Sequence, residues 1–395
     1  MQGSTSPRLV YLVTHPVTAD TLLRGQLAFM RERGLSVTVI SAPGPELERV
    51  AAREAVRVVG VPMDRAMAPP RDAVALGRVL ATLRRIGPHI VHASTPKAGL
   101  LGMLAAQALR VPVRIYLMRG LRLETTTGPL RRVLAGVEHV TTACAHDVAC
   151  VSQSLLEKVI AGGYVPASKA RVVGNGTSNG VDTDRFRRTD ALEVEGARRL
   201  EALGVGRSDP VVGFVGRLVH DKGVIELLDA FDRVRSELPN AKLVLIGGDL
   251  GDERLDPALV RRVADAAGVI RAGTIADLAP YYARMNVLAF PSHREGFPNV
   301  PLEAASMAVP VVGSRATGVV DAIVDGETGA IVPVRDGAAL GAALLGYLRD
   351  PQRSAAHGQA ARDRAVRLFR REAVWSAWLD LYRARLEPLG VRLPA

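Results

Sequence analysis

Apolar and polar positions along this chain follow a strand-then-helix rhythm that runs, lapses and starts again. Leu9–Val13 is a short unbroken apolar run, as expected of a strand covered on both faces. Apolar residues at Leu22, Leu23, Leu27, Phe29 and Met30 then predict a helix over Thr21–Arg33, closing at Gly34. The rhythm continues with a strand at Val37–Ile40, a helix at Ala73–Arg85 ending before Gly87-Pro88, and a strand at His89–His92. A helix at Gly99–Leu109 and a strand at Val113–Leu117 follow. Strands alternating with helices in this way predict a parallel sheet with helices on both faces.

The second half restarts the pattern. Val211–Val215 reads as a strand, Val224–Leu238 as a helix, and Lys242–Ile246 as a strand ending at Gly247-Gly248. A helix over Leu255–Ala267 and strands at Val287–Phe290 and Val309–Val312 complete it. Between the halves, residues 174–210 are rich in Gly, Asn, Asp and Arg, with an acidic-basic helical piece near 190–203, and read as a linker. The expected architecture is α/β: two Rossmann-like, doubly wound parallel-sheet domains in tandem. Ligands of such sheets lie outside the carboxyl ends of the strands, so two domains facing each other would make a cleft.

Composition narrows the function. The chain has 395 residues, 48% hydrophobic and 23% charged, which is enough for two domains with sizeable cores. No window approaches a membrane span of ~20 apolar residues. Residues 1–8 are polar and the Leu9–Val13 run stops too soon for a secretory signal. Two cysteines, Cys144 and Cys150, cannot make a disulfide framework and lack CxxC spacing, so a reducing, cytoplasmic setting is expected. The formal charge of +11 is uneven: residues 1–185 hold 23 Lys and Arg against 13 Asp and Glu, whereas 186–395 are nearly balanced. The asymmetry suggests that the first half faces something anionic, whether nucleic acid, a lipid surface or a phosphorylated substrate, with an arginine-rich solvated surface as the plainer reading. Nucleic acid fits poorly, because aromatic residues are 4% of the chain and none interleaves with the cations as a stacking motif.

Two motifs carry candidate chemistry. Ser292-His-Arg-Glu-Gly-Phe-Pro-Asn-Val-Pro-Leu-Glu303 holds two carboxylates across a turn. Pro301 suits a first helical turn, which places Glu295 on the loop after a strand and Glu303 on the first turn of the next helix. Free N–H groups at such a helix start favour phosphate. Gly216-Arg-Leu-Val-His-Asp-Lys-Gly223 directly follows a strand. Arg217 can grip a phosphate bidentately, and Lys222 adds a compact point charge.

Together these motifs resemble the retaining glycosyltransferases of family 4, with the GT-B fold, over essentially the whole chain. Val181–Phe186 and the Asp325-Gly-Glu-Thr-Gly329 turn add to the likeness. The resemblance implies a domain for the acceptor over residues 1–185, a nucleotide-sugar donor domain over 186–365, and a final helix over 366–395 that braces back onto the first domain. It implies that Arg217 and Lys222 bind the donor diphosphate, Glu303 the ribose hydroxyls and Glu295 the donor sugar, with backbone amides at Gly296 and Phe297 assisting. Arg217, Lys222 and Glu295 would carry the catalysis. No metal or other cofactor is implied, in keeping with the absence of a clustered Asp/His motif.

A narrower likeness lies in the first half. Val91–Gly99 and Arg119-Gly-Leu-Arg-Leu-Glu124 resemble enzymes that extend undecaprenyl-diphosphate-linked sugars in glycan or exopolysaccharide assembly. It implies that Lys97, Arg119 and Arg122 bind an acceptor phosphate, with Arg119 standing where many relatives have a histidine. The expected partners are a nucleotide sugar (UDP, with GDP open), a polyprenyl-diphosphate-linked acceptor and the anionic inner membrane leaflet. Two other readings stay open: a UDP-sugar 2-epimerase of the same architecture, and a basic protein that docks on nucleic acid or a membrane surface.

Overall fold

The computed structural model describes residues 6–64, 66–248 and 257–393. The chain divides into two compact units, Met1–Asn179 with Arg371–Ala395, and Gly180–Arg370. The chain thus leaves the first unit after Asn179 and returns to it at Arg371.

The first unit is built on a seven-stranded, wholly parallel sheet. Its strands are β1 (Arg8–Leu12), β2 (Ser36–Ser41), β3 (Arg57–Gly60), β4 (Ile90–Ser94), β5 (Val113–Met118), β6 (Asp147–Cys150) and β7 (Ala170–Val172). Their spatial order is β3-β2-β1-β4-β5-β6-β7. The second unit has β8 (Val211–Val215), β9 (Lys242–Ile246), β10 (Val269–Gly273), β11 (Val287–Phe290), β12 (Val311–Ser314) and β13 (Gly329–Val332), in the order β10-β9-β8-β11-β12-β13. Both orders are the 3-2-1-4-5-6 pattern of doubly wound nucleotide-binding sheets. The order reverses between β1 and β4, and again between β8 and β11, which fixes where each crevice opens.

Several expected elements shift for local reasons. The helix expected over Thr21–Arg33 is two helices, Pro16–Leu22 and Gln26–Glu32. Gly25 breaks it at φ 80°, and a Cβ there would stand 2.5 Å from Trp375. The Ala73–Arg85 helix begins earlier, at Pro69, because Pro69 and Pro70 occupy the first turn, where a missing N–H is harmless. Of the helix expected over Leu255–Ala267, Leu255 and Asp256 lie outside the described residues, and the helix observed is Pro257–Asp265.

Most of the stretch read as a linker belongs to the second unit. Helix Asp190–Glu201 hides Gly196 and Leu200 against helix Ala279–Arg284. A Cβ on Gly196 would meet the Pro280 carbonyl at 2.0 Å, so only glycine permits the contact. The two passages between units are paired as well: Val181 N–H donates to Phe369 O at 2.8 Å, and Val181 bridges Arg370. That pairing draws both segments into the second unit, so the divisions fall at 179/180 and 370/371, five or six residues from the 185/186 and 365/366 joints read from the sequence.

The final helix, Arg371–Leu386, packs on the first unit. Trp378 is fully buried, and Trp375 Nε1 donates to Asn179 Oδ1 at 2.6 Å. Arg385 grips the buried carboxylate of Asp147 with two hydrogen bonds, at 2.7 and 2.5 Å. Cys150 lies buried in β6 and Cys144 ends the helix Gly128–Cys144; both are free.

Candidate functional site

In the second unit the two motifs converge at the carboxyl ends of β8 and β11, beside the reversal of strand order. All five residues of β8 are buried, and the chain leaves it at Gly216. Gly247, at φ 95°, lies so close that a Cβ would come 2.8 Å from the Gly216 carbonyl. A short 3-10 turn, His220–Lys222, leads to Gly223 at φ 71°, where helix Val224–Glu237 begins. A Cβ on Gly223 would stand 2.2 Å from the Pro291 carbonyl. Glycine at this one position therefore lets the Arg217–Gly223 loop lie directly on the segment leaving β11.

That contact brings Lys222 to Glu295. The ammonium donates to Glu295 Oε1, and Ser292 Oγ donates to the same oxygen at 2.7 Å. Both charged side chains are mostly buried, at 20% and 15% exposure, so screening by water is weak. The Glu295 backbone is fixed too: its N–H donates to Thr317 O at 3.1 Å. Gly318, at φ 77°, packs so tightly on the Gly296 carbonyl that a Cβ would come within 2.2 Å. Arg217, by contrast, is exposed; its carbonyl accepts from the Val219 N–H at 2.9 Å, and its guanidinium is in no hydrogen bond or ion pair among the described residues.

Glu303 departs from the expected place. Helix Asn299–Ser306 starts two residues before Pro301, which puts Glu303 fifth, past the first turn. Its carboxylate accepts from Tyr282 Oη at 3.0 Å. Phe297 is buried against Phe369, ring centroids 5.2 Å apart, which fixes the loop carrying Gly296.

Four further residues join the loops. His293 Nε2 lies 3.0 Å from Glu226 Oε1, and the His293 N–H donates to Asp221 O at 2.9 Å. Arg294 donates to Asp221 Oδ2 at 3.1 Å. The sequence reading gave none of these four a role. His293 and Arg294 sit inside the quoted motif and could have been singled out there; Asp221 and Glu226 carried no signal beyond their charge.

In the first unit the three predicted cations behave differently. Lys97 lies in the first turn of helix Pro96–Ala108, but its ammonium is committed, donating to Asp72 Oδ1 at 2.5 Å and to the Ala66 carbonyl. Arg122 is exposed on the turn Arg122–Glu124. Arg119, one residue past β5, has all three guanidinium nitrogens sealed from solvent and without a hydrogen-bond partner among the described residues. Burial lowers its pKa to about 10, with only the Tyr11 phenol acting the other way. The structure thus joins Lys222 to Glu295, but it brings none of Lys97, Arg119 and Arg122 onto a shared partner. Among the described residues no three His, Cys, Asp or Glu side chains converge as metal ligands, and no helix is long and apolar enough to cross a membrane.

The chain has recognisable relatives. Residues 209–350 match the family described as Glycosyl transferases group 1, and residues 19–176 match the Glycosyl transferase 4-like domain. The capsular polysaccharide biosynthesis glycosyltransferase CapM of Staphylococcus aureus is 34% identical over 95% of this chain and 97% of its own length. D-inositol 3-phosphate glycosyltransferase 2 of Catenulispora acidiphila is 30% identical over 76% of this chain and 71% of its own. Among solved structures, Anabaena HepE in complex with UDP and glucose superposes with a TM-score of 0.81, at 19% identity, over 96% of this chain and all of its own.

Proposed function

Because this chain belongs to the group 1 glycosyltransferases, with a 4-like domain in its first half, we propose that it is a retaining transferase using a nucleotide-diphosphate sugar. The moved group is a hexose or N-acetylhexosamine, UDP is the nucleotide, and the acceptor is a glycan on a lipid diphosphate. The observation that carries this reading is the Lys222–Glu295 pair, tied by Ser292 at the mouth of β8 and β11 beside the exposed Arg217. CapM, named for capsular polysaccharide biosynthesis, and HepE, solved with UDP and glucose, support the acceptor and donor classes respectively.

The chemistry follows from those groups. Arg217 and Lys222 meet the donor diphosphate, so negative charge growing on the leaving phosphate finds cations already in place. No metal is needed in this scheme. Glu295 accepts hydrogen bonds from the donor sugar, and Glu303 from the ribose hydroxyls. The anomeric carbon–phosphate oxygen bond breaks while the acceptor oxygen bonds the same carbon from the same face. The acceptor proton passes to the departing phosphate oxygen, which balances the step without an enzymic nucleophile.

The acceptor falls to the basic first unit, through Arg119 and Arg122. Lys97, held by Asp72, contributes only if that pair opens. The same unit docks on the anionic inner leaflet at the cytoplasmic membrane face. Helix Gly128–Cys144 exposes Leu130, Val133 and Val140 beside Arg131 and Arg132, a pairing of apolar and cationic groups suited to that surface. Sedimentation with vesicles checks it: equal binding to neutral and anionic lipid removes the proposal.

The decisive assay supplies UDP- and GDP-sugars with and without a polyprenyl-diphosphate-linked acceptor, and reads product anomeric configuration by NMR. Acceptor-dependent transfer with retention is expected. Inversion defeats the mechanism, and an epimer formed from donor alone assigns the chain to 2-epimerisation instead.

A further inference from the structure

The face of the first unit beneath the C-terminal helix holds buried hydrogen-bond donors with nothing to donate to. Register sets Tyr11 of β1 opposite His92 of β4, and the two rings lie 4.9 Å apart. Helix Arg371–Leu386 covers them, with the Trp378 ring tilted 42° to that of His92 at 4.5 Å between centroids. Tyr11 Oη and Tyr382 Oη are 3.1 Å apart, and Tyr382 Oη is 2.6 Å from His92 Nδ1. Among the described residues, His92 Nε2 is buried without a hydrogen-bond partner, as are all three guanidinium nitrogens of Arg119.

Hydroxyl accounting sets the direction of this chain. If Tyr11 donates to Tyr382, and Tyr382 donates to Nδ1, both phenolic hydrogens are used. The reverse direction leaves the Tyr11 hydrogen without an acceptor among the described residues. His92 therefore carries its ring proton on Nε2. Burial, with Arg119 adding to it, lowers the His92 pKa to about 3, so the ring is neutral and Nε2 is a donor. Arg119 is near enough for its charge to act on both His92 and Tyr11, and no carboxylate acts on it in return. A guanidinium without counter-ion or acceptor is among the costliest groups to bury. Unsatisfied buried donors, one of them cationic, are complementary to an oxyanion, which offers acceptors alone.

We infer that Arg119 and His92 Nε2 form a buried pocket for one phosphoryl group, with Tyr382 of the C-terminal helix holding His92 in the donating tautomer. The helix that closes the first unit is thereby part of a binding site as well as a brace. Lys97 is outside it, being already neutralised by Asp72. The choice of a phosphoryl group over other oxyanions rests on the transfer reading above, in which donor and acceptor alike carry a diphosphate.

The test follows the His92 Nε2–H signal in histidine-15N-labelled full-length protein during titration with inorganic pyrophosphate, geranyl diphosphate and UDP. A saturable shift is expected. It should weaken about tenfold in Arg119→Lys, which loses the forked geometry, and vanish in Arg119→Gln. Tyr382→Phe should move the proton to Nδ1 and weaken the response. Without anion, Arg119→Gln should melt at a higher temperature than wild type, because it removes an unpaired buried charge. A response to geranyl diphosphate but not UDP assigns the pocket to the acceptor, and one to UDP assigns it to the donor; either upholds it. No shift with any of the three, or an Arg119→Gln variant that melts lower with His92 unmoved, identifies a structural cation and overturns the inference. Sugar transfer measured on the same samples separates the two ideas. Anion binding without transfer leaves the pocket standing and removes the transfer reading, and transfer without a His92 response does the opposite.

Discussion

Tyr282 Oη donates to Glu303 Oε2 across 3.0 Å, from a side chain that is itself wholly buried. Burial, reinforced by the Glu303 charge, holds the phenol well above its usual pKa, so it remains a donor at working pH. The carboxylate is therefore aimed from below, by a residue that need not touch substrate. Tyr282→Phe removes that donor and little else. A hydrogen bond to a charged group is worth about 1.5–3 kcal/mol, so donor KM should rise roughly tenfold with kcat changed about twofold or less. Steady-state kinetics with varied donor checks this; a fall in kcat at constant KM would remove Glu303 from ground-state donor binding.

Asp147 is fully buried and receives Arg385 through two hydrogen bonds, with Arg171 as a second cation 2.8 Å away. Losing Arg385 leaves the carboxylate one partner, whereas Asp147→Ala strands two half-exposed guanidiniums. Arg385→Ala should therefore cost about 1–2 kcal/mol, less than the 3–5 typical of breaking an isolated buried pair. Trp378→Ala should cost about 3–5 kcal/mol, as usual for a buried tryptophan. Urea melts measure both, and limited proteolysis should release the segment after Arg370 faster in each variant.

These contacts mark where the sequence stops being informative. Both sheets were legible because their central strands are apolar runs too short for buried helices, bounded by turn residues. Edge strands were not: β3, Arg57–Gly60, and β10, Val269–Gly273, are half-exposed and carry no such run. Gly25 could be read as a helix break only by knowing that Trp375, 350 positions away, occupies the space its Cβ would need. In the candidate site, motif spacing put Lys222 and Glu295 after two strands, and those strands end side by side in a sheet of this order. It could not find that Lys97 is neutralised by Asp72, or that Arg119 has no counter-ion among the described residues. Those are facts of side-chain pairing between separate elements, and residue type is silent about them.

Glu138 provides a pH test. It is a buried carboxyl on helix Gly128–Cys144, accepting from Tyr116 Oη at 3.2 Å. Burial raises its pKa to about 7, against smaller opposing effects from the Tyr116 hydrogen bond and His139. Cys150 faces the same group and is itself pushed up to about 12, so it stays a neutral thiol. With the folded pKa above the unfolded one, the native state holds more protons between about pH 4.5 and 7. Stability from this group is full below that window and is lost as pH rises through it. Glu138→Gln should flatten the slope and be more stable than wild type at pH 8 by about 2–3 kcal/mol. Thermal melts from pH 5 to 8 decide it; parallel curves for the two proteins would refute the assignment.

Lys97 and Asp72 allow a cleaner separation of structure from binding. The pair is short and mostly buried, at 10% and 23% exposure. Lys97→Met should cost about 1–2 kcal/mol by leaving Asp72 without its cation. Its acceptor KM should rise less than that of Arg119→Gln. Asp72→Asn frees the ammonium, and if Lys97 serves the acceptor phosphate at all, that variant should bind acceptor more tightly than wild type. Unchanged acceptor KM in both variants assigns Lys97 wholly to the fold.

Lys222 and Glu295 carry the functional reading, so their substitutions have the sharpest consequences. The two charges neutralise each other, and Ser292 holds Glu295 in place. On the proposed function, a diphosphate arriving at Lys222 would exchange one anion for another and release Glu295 to accept from the donor sugar. On the same proposal, Lys222→Met would remove a cation that matters most as the leaving phosphate gains charge. The loss should therefore appear in kcat, about 10²–10³-fold, the scale seen for removing one preorganised donor. It also leaves Glu295 mostly buried with only Ser292, so some stability should go with it. Glu295→Gln keeps the shape and should lower kcat while leaving UDP binding intact, because the proposal assigns the nucleotide to other residues. Ser292→Ala should lie between wild type and Glu295→Gln. Calorimetry with UDP and single-turnover transfer separate these effects; near-wild-type turnover in Lys222→Met would remove the pair from the chemistry.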